Sequence, residues 1–145
     1  MRGRGKDIRH TGLVVSDLKK GLHFYRDLLG LKVFKNRHES GRYIDLIFGI
    51  KNANVKTIKL SAADGSLIEL LYFPSYRKKY FRKKIYEIGF SHVAFTVKEI
   101  DKEYKRLLKA GVEFHSPPQF SPDGYAKVAY CRDFDHNPVE LVQVL

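Results

Sequence analysis

The sequence predicts an α+β fold that contains two copies of one strand–helix–strand unit. His10 lies near the start of IRHTGLVVSDL and His92 near the start of FSHVAFTVKEI, and a segment with helical spacing follows each. Further along, Glu69 lies within LIELLYF and Glu140 within PVELVQV. The order His, Glu, His, Glu therefore falls on matching positions of two halves.

The residue pattern of the first half predicts one strand, one helix and three further strands. Ser16 is the expected N-cap of the helix, and Asp64-Gly65 is a typical pair for a hairpin turn. Leu18, Leu22, Tyr25 and Leu29 repeat at helical spacing. The expected ranges are a strand over 8–15, a helix over 17–29, and strands over 31–38, 55–62 and 66–73.

The second half repeats this pattern, and its expected inward helix residues are Ile100, Tyr104 and Leu107. These lie 82 residues after Leu18, Leu22 and Tyr25, which is also the offset between His10 and His92. The expected ranges are a strand over 90–97, a helix over 99–110, a short strand over 112–115, and strands over 125–131 and 138–144.

The halves differ by an insertion. His10 and Glu69 are 59 residues apart, whereas His92 and Glu140 are 48 apart, so the first half has 11 extra residues. The apolar segment 42–53 is the expected insertion. It is interpreted either as a short helix or lid near the site or as an additional piece of core.

The net charge of +11 is concentrated in two segments, the N-terminal tail 1–9 and the run RKKYFRKK over 77–84. Without them, 17 basic residues face 15 acidic ones. A nucleic-acid-binding domain usually has a basic stripe across a structured face, so nucleic acid is not an expected partner. The run 77–84 is interpreted as a solvated connector, with an anionic ligand as the alternative.

The chain length of 145 residues suits one domain with a real core. No apolar stretch is long enough to span a membrane, and the basic N-terminus is not followed by the apolar run of a secretory signal. Cys131 has no second cysteine with which to form an internal disulfide. A cytoplasmic location is therefore expected.

The two histidines and two glutamates have the pattern of metal ligands. Strand alternation places His10 with Gly12, and His92 with Ala94, on the face away from the helix, and these small neighbours leave room for a ligand. Glu69 and Glu140 lie among apolar strand residues, where a carboxylate is costly to bury without compensation. One divalent cation bound by all four is the interpretation, and a polar core network is the alternative.

These segments resemble the vicinal oxygen chelate superfamily, which includes glyoxalase I, methylmalonyl-CoA epimerase, extradiol dioxygenases and resistance proteins. HTGLVVSDLKKGLHFYRDLLGLKVF is similar to the family's opening strand and helix, and SHVAFTVKEIDKEYKRLLKAGVEF to their second copy. DFDHNPVEL resembles the closing turn and ligand strand, with His136 where glycine is common. The resemblance covers residues 8–145.

The resemblance implies one glyoxalase-like domain over 1–145, built from two tandem βαβββ modules whose curled mixed sheets form a shared cleft. Module 1 would span about 8–73, the linker 74–89 and module 2 about 90–145. It also implies one Zn, Ni, Co, Mn or Fe ion held by His10, Glu69, His92 and Glu140. The family forms such sites within one chain or between two, and the sequence leaves that choice open. A homodimer is expected.

The full His-Glu-His-Glu set is similar to that of lactoylglutathione lyases. It implies isomerisation of the hemithioacetal of a 2-oxoaldehyde and a thiol to a 2-hydroxyacyl thioester through an enediolate, with Glu140 as the base and Glu69 the less favoured one. An extradiol Fe(II) dioxygenase that acts on a catechol would need only His10, His92 and Glu140. An epimerase-like isomerase and a binding protein without a reaction are further alternatives.

The expected substrate is a small molecule that carries negative charge. Cationic side chains that pair with carboxylate or phosphate are candidates to bind it, and aromatic side chains are candidates to line the pocket. These residues are Arg9, Lys127 and Arg132, with Tyr43, Phe48 and Tyr125 as the aromatic candidates. For each, ordinary surface charge or core packing is the alternative.

Overall fold

The computed structural model describes residues 4–76, 79 and 81–145. The chain divides into two compact units, Met1–Lys78 and Lys79–Leu145. Each contains one mixed sheet with helices beside it, so the predicted α+β class with a duplicated βαβββ pattern is confirmed. No helix in the described ranges is long and apolar enough to cross a membrane.

The first unit has a four-stranded sheet in the order β1-β4-β3-β2. β1 runs parallel to β4, and the other neighbours are antiparallel. Its elements are β1 Thr11–Val14, α1 Leu18–Leu22, β2 Lys32–Ser40, α2 Arg42–Phe48, β3 Asn54–Ser61 and β4 Leu67–Tyr72. The hairpin between β3 and β4 turns at Gly65, where φ is 87°, as the Asp64-Gly65 pair predicts.

The N-cap of the first helix lies one residue after its expected position. The N-cap is Asp17, not Ser16, because the Asp17 carboxylate accepts a hydrogen bond from the backbone N–H of Lys20 at 3.1 Å. The helix continues beyond Leu22 as a π-helical segment over His23–Leu28, which buries Phe24 and Tyr25. The predicted span of 17–29 is thus confirmed, but its second half is not α-helical.

Helix α1 packs closely on one face of the first sheet. A Cβ atom added at Gly21 would lie 3.1 Å from both Leu70 Cδ1 and Val15 Cγ1. Val15 is 2% exposed and Leu70 is fully buried. The apolar strand residues therefore pack beneath the helix, and the opposite face of the sheet is left for other side chains.

The insertion 42–53 contains the short helix α2, as one of its interpretations predicted. Ile44 is buried, whereas Tyr43, Leu46 and Ile47 are more than half exposed. The helix ends at Gly49 in the left-handed conformation, with φ 67°. Of Tyr43, Ile44, Leu46 and Ile47, only Ile44 is part of the core, and the role of this segment as a lid stays a prediction.

The second unit repeats the topology with a sheet in the order β5-β9-β8-β6. Its elements are β5 Val93–Thr96, α3 Ile100–Lys109, β6 Glu113–Phe114, β7 Gln119–Phe120, β8 Ala126–Arg132 and β9 Pro138–Val144. β7 also pairs with β8, so two short pieces stand where the first unit has the long strand β2. Ile100 and Leu107 are fully buried and Tyr104 packs edge-on against Phe114, as the helical spacing predicts.

The connector 74–89 contains no helix or strand among its described residues. Phe81 and Tyr86 are largely exposed there, which agrees with the favoured interpretation of a solvated bridge. Arg77, Lys78 and Tyr80 of the basic run, like residues 1–3 of the tail, lie outside the described residues.

Candidate metal centre

In the first unit, His10 and Glu69 form a pair on the sheet face that is opposite α1. Glu69 is on β4, and its register partner on the parallel strand β1 is Gly12. His10 directly precedes β1, and its Nε2 lies 3.7 Å from Glu69 Oε1. Because Gly12 has no side chain, the carboxylate can extend over it towards the imidazole. The Glu69 side chain is 15% exposed.

The second unit has the equivalent pair, His92 and Glu140. Here the register partner of Glu140 is Ala94, another small residue. His92 Nε2 lies 3.0 Å from Glu140 Oε2, and the glutamate side chain is 19% exposed. Ser91 Oγ lies 2.9 Å from His92 Nδ1. Because the Ser91 hydroxyl donates to the backbone carbonyl of Ile85 at 3.4 Å, its oxygen can accept a hydrogen bond from Nδ1–H, and that tautomer leaves Nε2 free to bind a metal.

Each unit thus assembles one half of the predicted ligand set. The part of the chain that the structure describes contains no group of three or more His, Cys, Asp or Glu side chains placed to hold a metal ion. The four-residue set therefore requires one pair from each unit, contributed by one chain or by two. That assembly stays a prediction.

The turn before β9 fixes where Glu140 lies. Asp133 is 5% exposed, and its carboxylate accepts hydrogen bonds from the backbone N–H groups of Asp135 and Asn137 at 2.9 and 2.8 Å. His136 takes a left-handed conformation with φ 64°, which explains why glycine suits this position. The turn ends at Pro138, which begins the strand that presents Glu140.

Sequence reasoning missed the residues that lie directly across from the two glutamates. Tyr130 on β8 is the register partner of Glu140, and Lys59 on β3 is the register partner of Glu69. Each precedes its glutamate by ten residues, a repeat that could have identified them. Lys59 Nζ lies 3.7 Å from Glu69 Oε2. The two halves therefore place different chemistry beside equivalent carboxylates.

The Tyr130 hydroxyl contacts both members of the second pair. It lies 3.2 Å from His92 Nε2, and it also hydrogen-bonds to the Glu140 carboxylate. Burial and the negative charge of Glu140 raise the pKa of Tyr130 above its ordinary value. The phenol accordingly stays protonated at neutral pH and acts as a hydrogen-bond donor.

The His115 ring contacts Tyr130, and Arg132 in turn contacts His115. Arg132 is 7% exposed, and its guanidinium donates to His115 Nε2 at 3.1 Å and to the backbone carbonyls of Lys83 and His136. The His115 ring stacks on Tyr130 with an interplanar angle of 12°. Partial burial and the Arg132 charge lower the pKa of His115. These contacts favour a structural role for Arg132, and its role in substrate binding stays a prediction.

The other predicted substrate-binding residues lie in varied surroundings. Tyr43 and Tyr125 are more than two-thirds exposed, and Arg9 is exposed. Phe48 packs against Phe73 with ring centroids 6.0 Å apart. Lys127 Nζ pairs with Asp101 at 2.7 Å and lies 4.5 Å from the centre of the Phe120 ring. Their contact with a substrate stays a prediction.

The model of one protein family, described as the Glyoxalase/Bleomycin resistance protein/Dioxygenase superfamily, matches residues 7–141. The chain belongs to this superfamily. This confirms the resemblance seen in the sequence and, together with the two βαβββ units, the predicted fold.

Individual superfamily members agree with this assignment. A probable lactoylglutathione lyase of Synechocystis sp. is 26% identical over 139 residues, which cover 94% of each chain. The crystal structure of a glyoxalase family protein from Bacillus cereus has a TM-score of 0.87 and 23% identity, and the match covers 99% of this chain and 97% of that one.

A fosfomycin resistance protein, FosX of Listeria monocytogenes, shares the fold. Its crystal structure in complex with Mn(II) and a sulfate ion has a TM-score of 0.65 and 20% identity, with coverage of 96% of this chain and 93% of that one. Divalent metals are thus used within the superfamily. In the present chain, the imidazole and carboxylate donors of the two pairs fit such an ion chemically.

Proposed function

We propose that the protein is a metal-dependent lyase or isomerase of the glyoxalase I type. One observation carries this proposal: a His–Glu pair occurs at the equivalent place of each unit, His10–Glu69 and His92–Glu140. Both glutamates are mostly buried, where a carboxylate needs compensation, and a divalent cation would add to what Lys59 and Tyr130 supply. A protein that only bound a small molecule would have no need for such a duplicated ligand set.

His10, Glu69, His92 and Glu140 would hold one divalent ion. When bound, the ion supplies Lewis-acid stabilisation of negative charge on a substrate oxygen. Ser91 orients His92 through Nδ1, and Gly12 and Ala94 leave space over the first strand of each unit. Metal identity is open among Zn, Ni, Co, Mn and Fe(II), because this donor set suits each of them.

Glu140 would be the residue that moves the proton. Its carboxylate takes the proton from the carbon that bears the hydroxyl and the sulfur and returns it to the former carbonyl carbon. The hydroxyl proton passes to the former carbonyl oxygen, so that a hemithioacetal becomes a 2-hydroxyacyl thioester. The Tyr130 hydroxyl hydrogen-bonds to this carboxylate. Lys59, which occupies the equivalent position beside Glu69, provides a cation there instead.

The substrate would be the hemithioacetal of a 2-oxoaldehyde and a thiol. The similarity to a probable lactoylglutathione lyase supports this choice, as does the presence of a carboxylate in both units. The test uses protein stripped of metal and reloaded separately with each candidate ion. Thioester formation from methylglyoxal and glutathione is followed by ultraviolet absorbance, with methylmalonyl-CoA and a catechol under air as parallel substrates.

Glu140→Gln is the decisive variant. We expect it to lower thioester formation by about 10²–10⁴-fold, the usual contribution of a general base. Glu99→Gln is the matched control, since the Glu99 side chain is 62% exposed and pairs with Lys102 at the start of α3. Full activity of Glu140→Gln, or no thioester with any of the metals, would refute the proposed reaction. Catechol cleavage that survives Glu69→Gln would instead indicate a dioxygenase.

A further inference from the structure

A charged depression lies beside Glu69 on the open face of the first sheet. It has a volume of about 270 Å³, including space that is open to solvent, and is contained entirely within the first unit. Three cationic and two anionic side chains line it, together with one hydroxyl residue. They are Lys35, Arg37, Glu39, Thr57, Lys59 and Glu69. The lining thus has a net positive charge.

Two of these cations lie directly opposite each other. Lys35 on β2 and Lys59 on β3 are register partners, so their side chains extend from neighbouring strands on the same face. Like charges at such positions destabilise a sheet. Local rules of this kind are most often broken where a function requires it. An anion bound between the two ammonium groups would relieve their repulsion.

The carboxylates of the depression only partly neutralise the cations. Arg37 Nη1 lies 3.7 Å from Glu39 Oε1, and Lys59 Nζ lies 3.7 Å from Glu69 Oε2. Such distances and partial exposure make these ion pairs weak. Lys35 forms no ion pair with any carboxylate in the described part of the chain. One ammonium group is therefore available to a ligand.

The position of the depression suggests what it would bind. Thr57, at 7% exposure, forms its floor, and Arg37 provides a planar guanidinium that matches carboxylate or phosphate oxygens. Neighbouring strands lie about 4.8 Å apart, so the Lys35 backbone is about 10 Å from that of Glu69 on the second strand along. A small anionic molecule can thus reach both places.

We propose that Lys35, Arg37 and Lys59 form an oxyanion-binding subsite that holds the carboxylate or phosphate group of a small ligand beside Glu69. The identification of that ligand with the substrate rests on the proposed function. The binding itself does not, because it requires neither a metal nor turnover. The two proposals can therefore fail separately.

The test measures anion binding to the metal-free protein. Inorganic phosphate and, separately, acetate are titrated at constant ionic strength, and backbone amide shifts of β2 and β3 are followed by NMR. We expect saturable shifts at these strands with at least one of the two anions. Lys35→Met and Arg37→Met should each raise the dissociation constant by about fivefold or more.

Lys56→Met is the matched control. Lys56 is an exposed lysine on the same strand as Lys59, but strand alternation places it on the opposite face. It removes the same unit of charge and should leave the dissociation constant within about twofold, since exposed charges at a distance are largely screened. Equal weakening by Lys56→Met and Lys35→Met would show a general charge effect and overturn the proposal, as would the absence of saturable binding for both anions.

Glu69→Gln tests the sign of the effect. This change removes a negative charge from the depression and the carboxylate partner of Lys59, so anion binding should become tighter. A weaker affinity in this variant would overturn the proposal. The same variant should slow the proposed reaction, so anion affinity should rise while the reaction rate falls.

Lys35→Gln controls for a folding defect in Lys35→Met. It should weaken anion binding as Lys35→Met does while its thermal unfolding midpoint matches that of the wild type.

Discussion

Tyr130 and Glu140 face each other on neighbouring strands of the second unit, and the phenol hydroxyl hydrogen-bonds to the carboxylate. In the first unit the same cross-strand position beside Glu69 is occupied by Lys59. A neutral donor therefore supports one glutamate, and a cation supports the other. This asymmetry agrees with different roles for the two carboxylates, with Glu140 as the one that moves a proton.

The Tyr130 hydroxyl should contribute to metal binding through Glu140, whose carboxylate it hydrogen-bonds. We expect Tyr130→Phe to weaken Mn(II) affinity by about 10-fold, because partners of metal ligands typically contribute about 10–100-fold. Isothermal titration with Mn(II) measures this directly. Tyr125→Phe is the control, since Tyr125 is 73% exposed. Unchanged affinity in Tyr130→Phe would contradict a supporting role for the phenol.

His115 should titrate below the ordinary range of histidine. Partial burial and the neighbouring Arg132 guanidinium disfavour the imidazolium form, so the pKa of His115 is lowered in the folded protein. The unfolded chain then binds more protons at this ring, and its contribution to stability is lost as pH falls below about 6.5. Ring NMR gives the titration midpoint, and a midpoint at or above about 6.5 would contradict the prediction. His115→Gln should lose less stability than the wild type between about pH 7.5 and 5.5.

A side chain at position 21, where the protein has Gly21, should lower the stability of the fold. The added methyl of Gly21→Ala would lie 3.1 Å from Leu70 and Val15, both of which are buried, so these side chains must shift to admit it. Alanine favours a helix over glycine by up to about 1 kcal/mol, but the close contacts cost more than this gain. We therefore expect a net fall of about 1–2 kcal/mol in the free energy of unfolding. Urea denaturation measures it. Gly12→Ala, whose Cβ would lie 3.4 Å from Leu71 Cδ1, should change stability less, and the reverse order would refute the packing argument.

Cys131 should be unreactive in the native protein. It is fully buried, and burial raises its pKa to about 12. The thiolate fraction at neutral pH is then roughly 10³-fold lower than for an ordinary thiol of pKa about 8.5. Labelling with a thiol-specific reagent should be slow in buffer and rapid in urea. Rapid labelling of the native protein would show that the second sheet opens readily around β8.

The sequence predicted the main elements because their signals are local. The apolar spacing of α3 and the Asp64-Gly65 turn act over a few residues, and the structure confirms both. Ser16 as the helix cap was wrong, since Ser16 and Asp17 are both good caps and only the backbone geometry selects between them. The long strand β2 and its two short counterparts, β6 and β7, also depend on pairing with neighbours that the sequence does not specify.

For the candidate site, the sequence by itself determined the duplication and the four candidate ligand residues, because identical residue types recur in the same order in both halves. Only the tertiary structure decided that each histidine lies beside the glutamate of its own unit and that two lysines face each other in the charged depression. These relationships depend on strand register. A shift of one residue would turn every side chain to the other face, and no short turn joins β1 to β4, β5 to β9 or β2 to β3 to fix it.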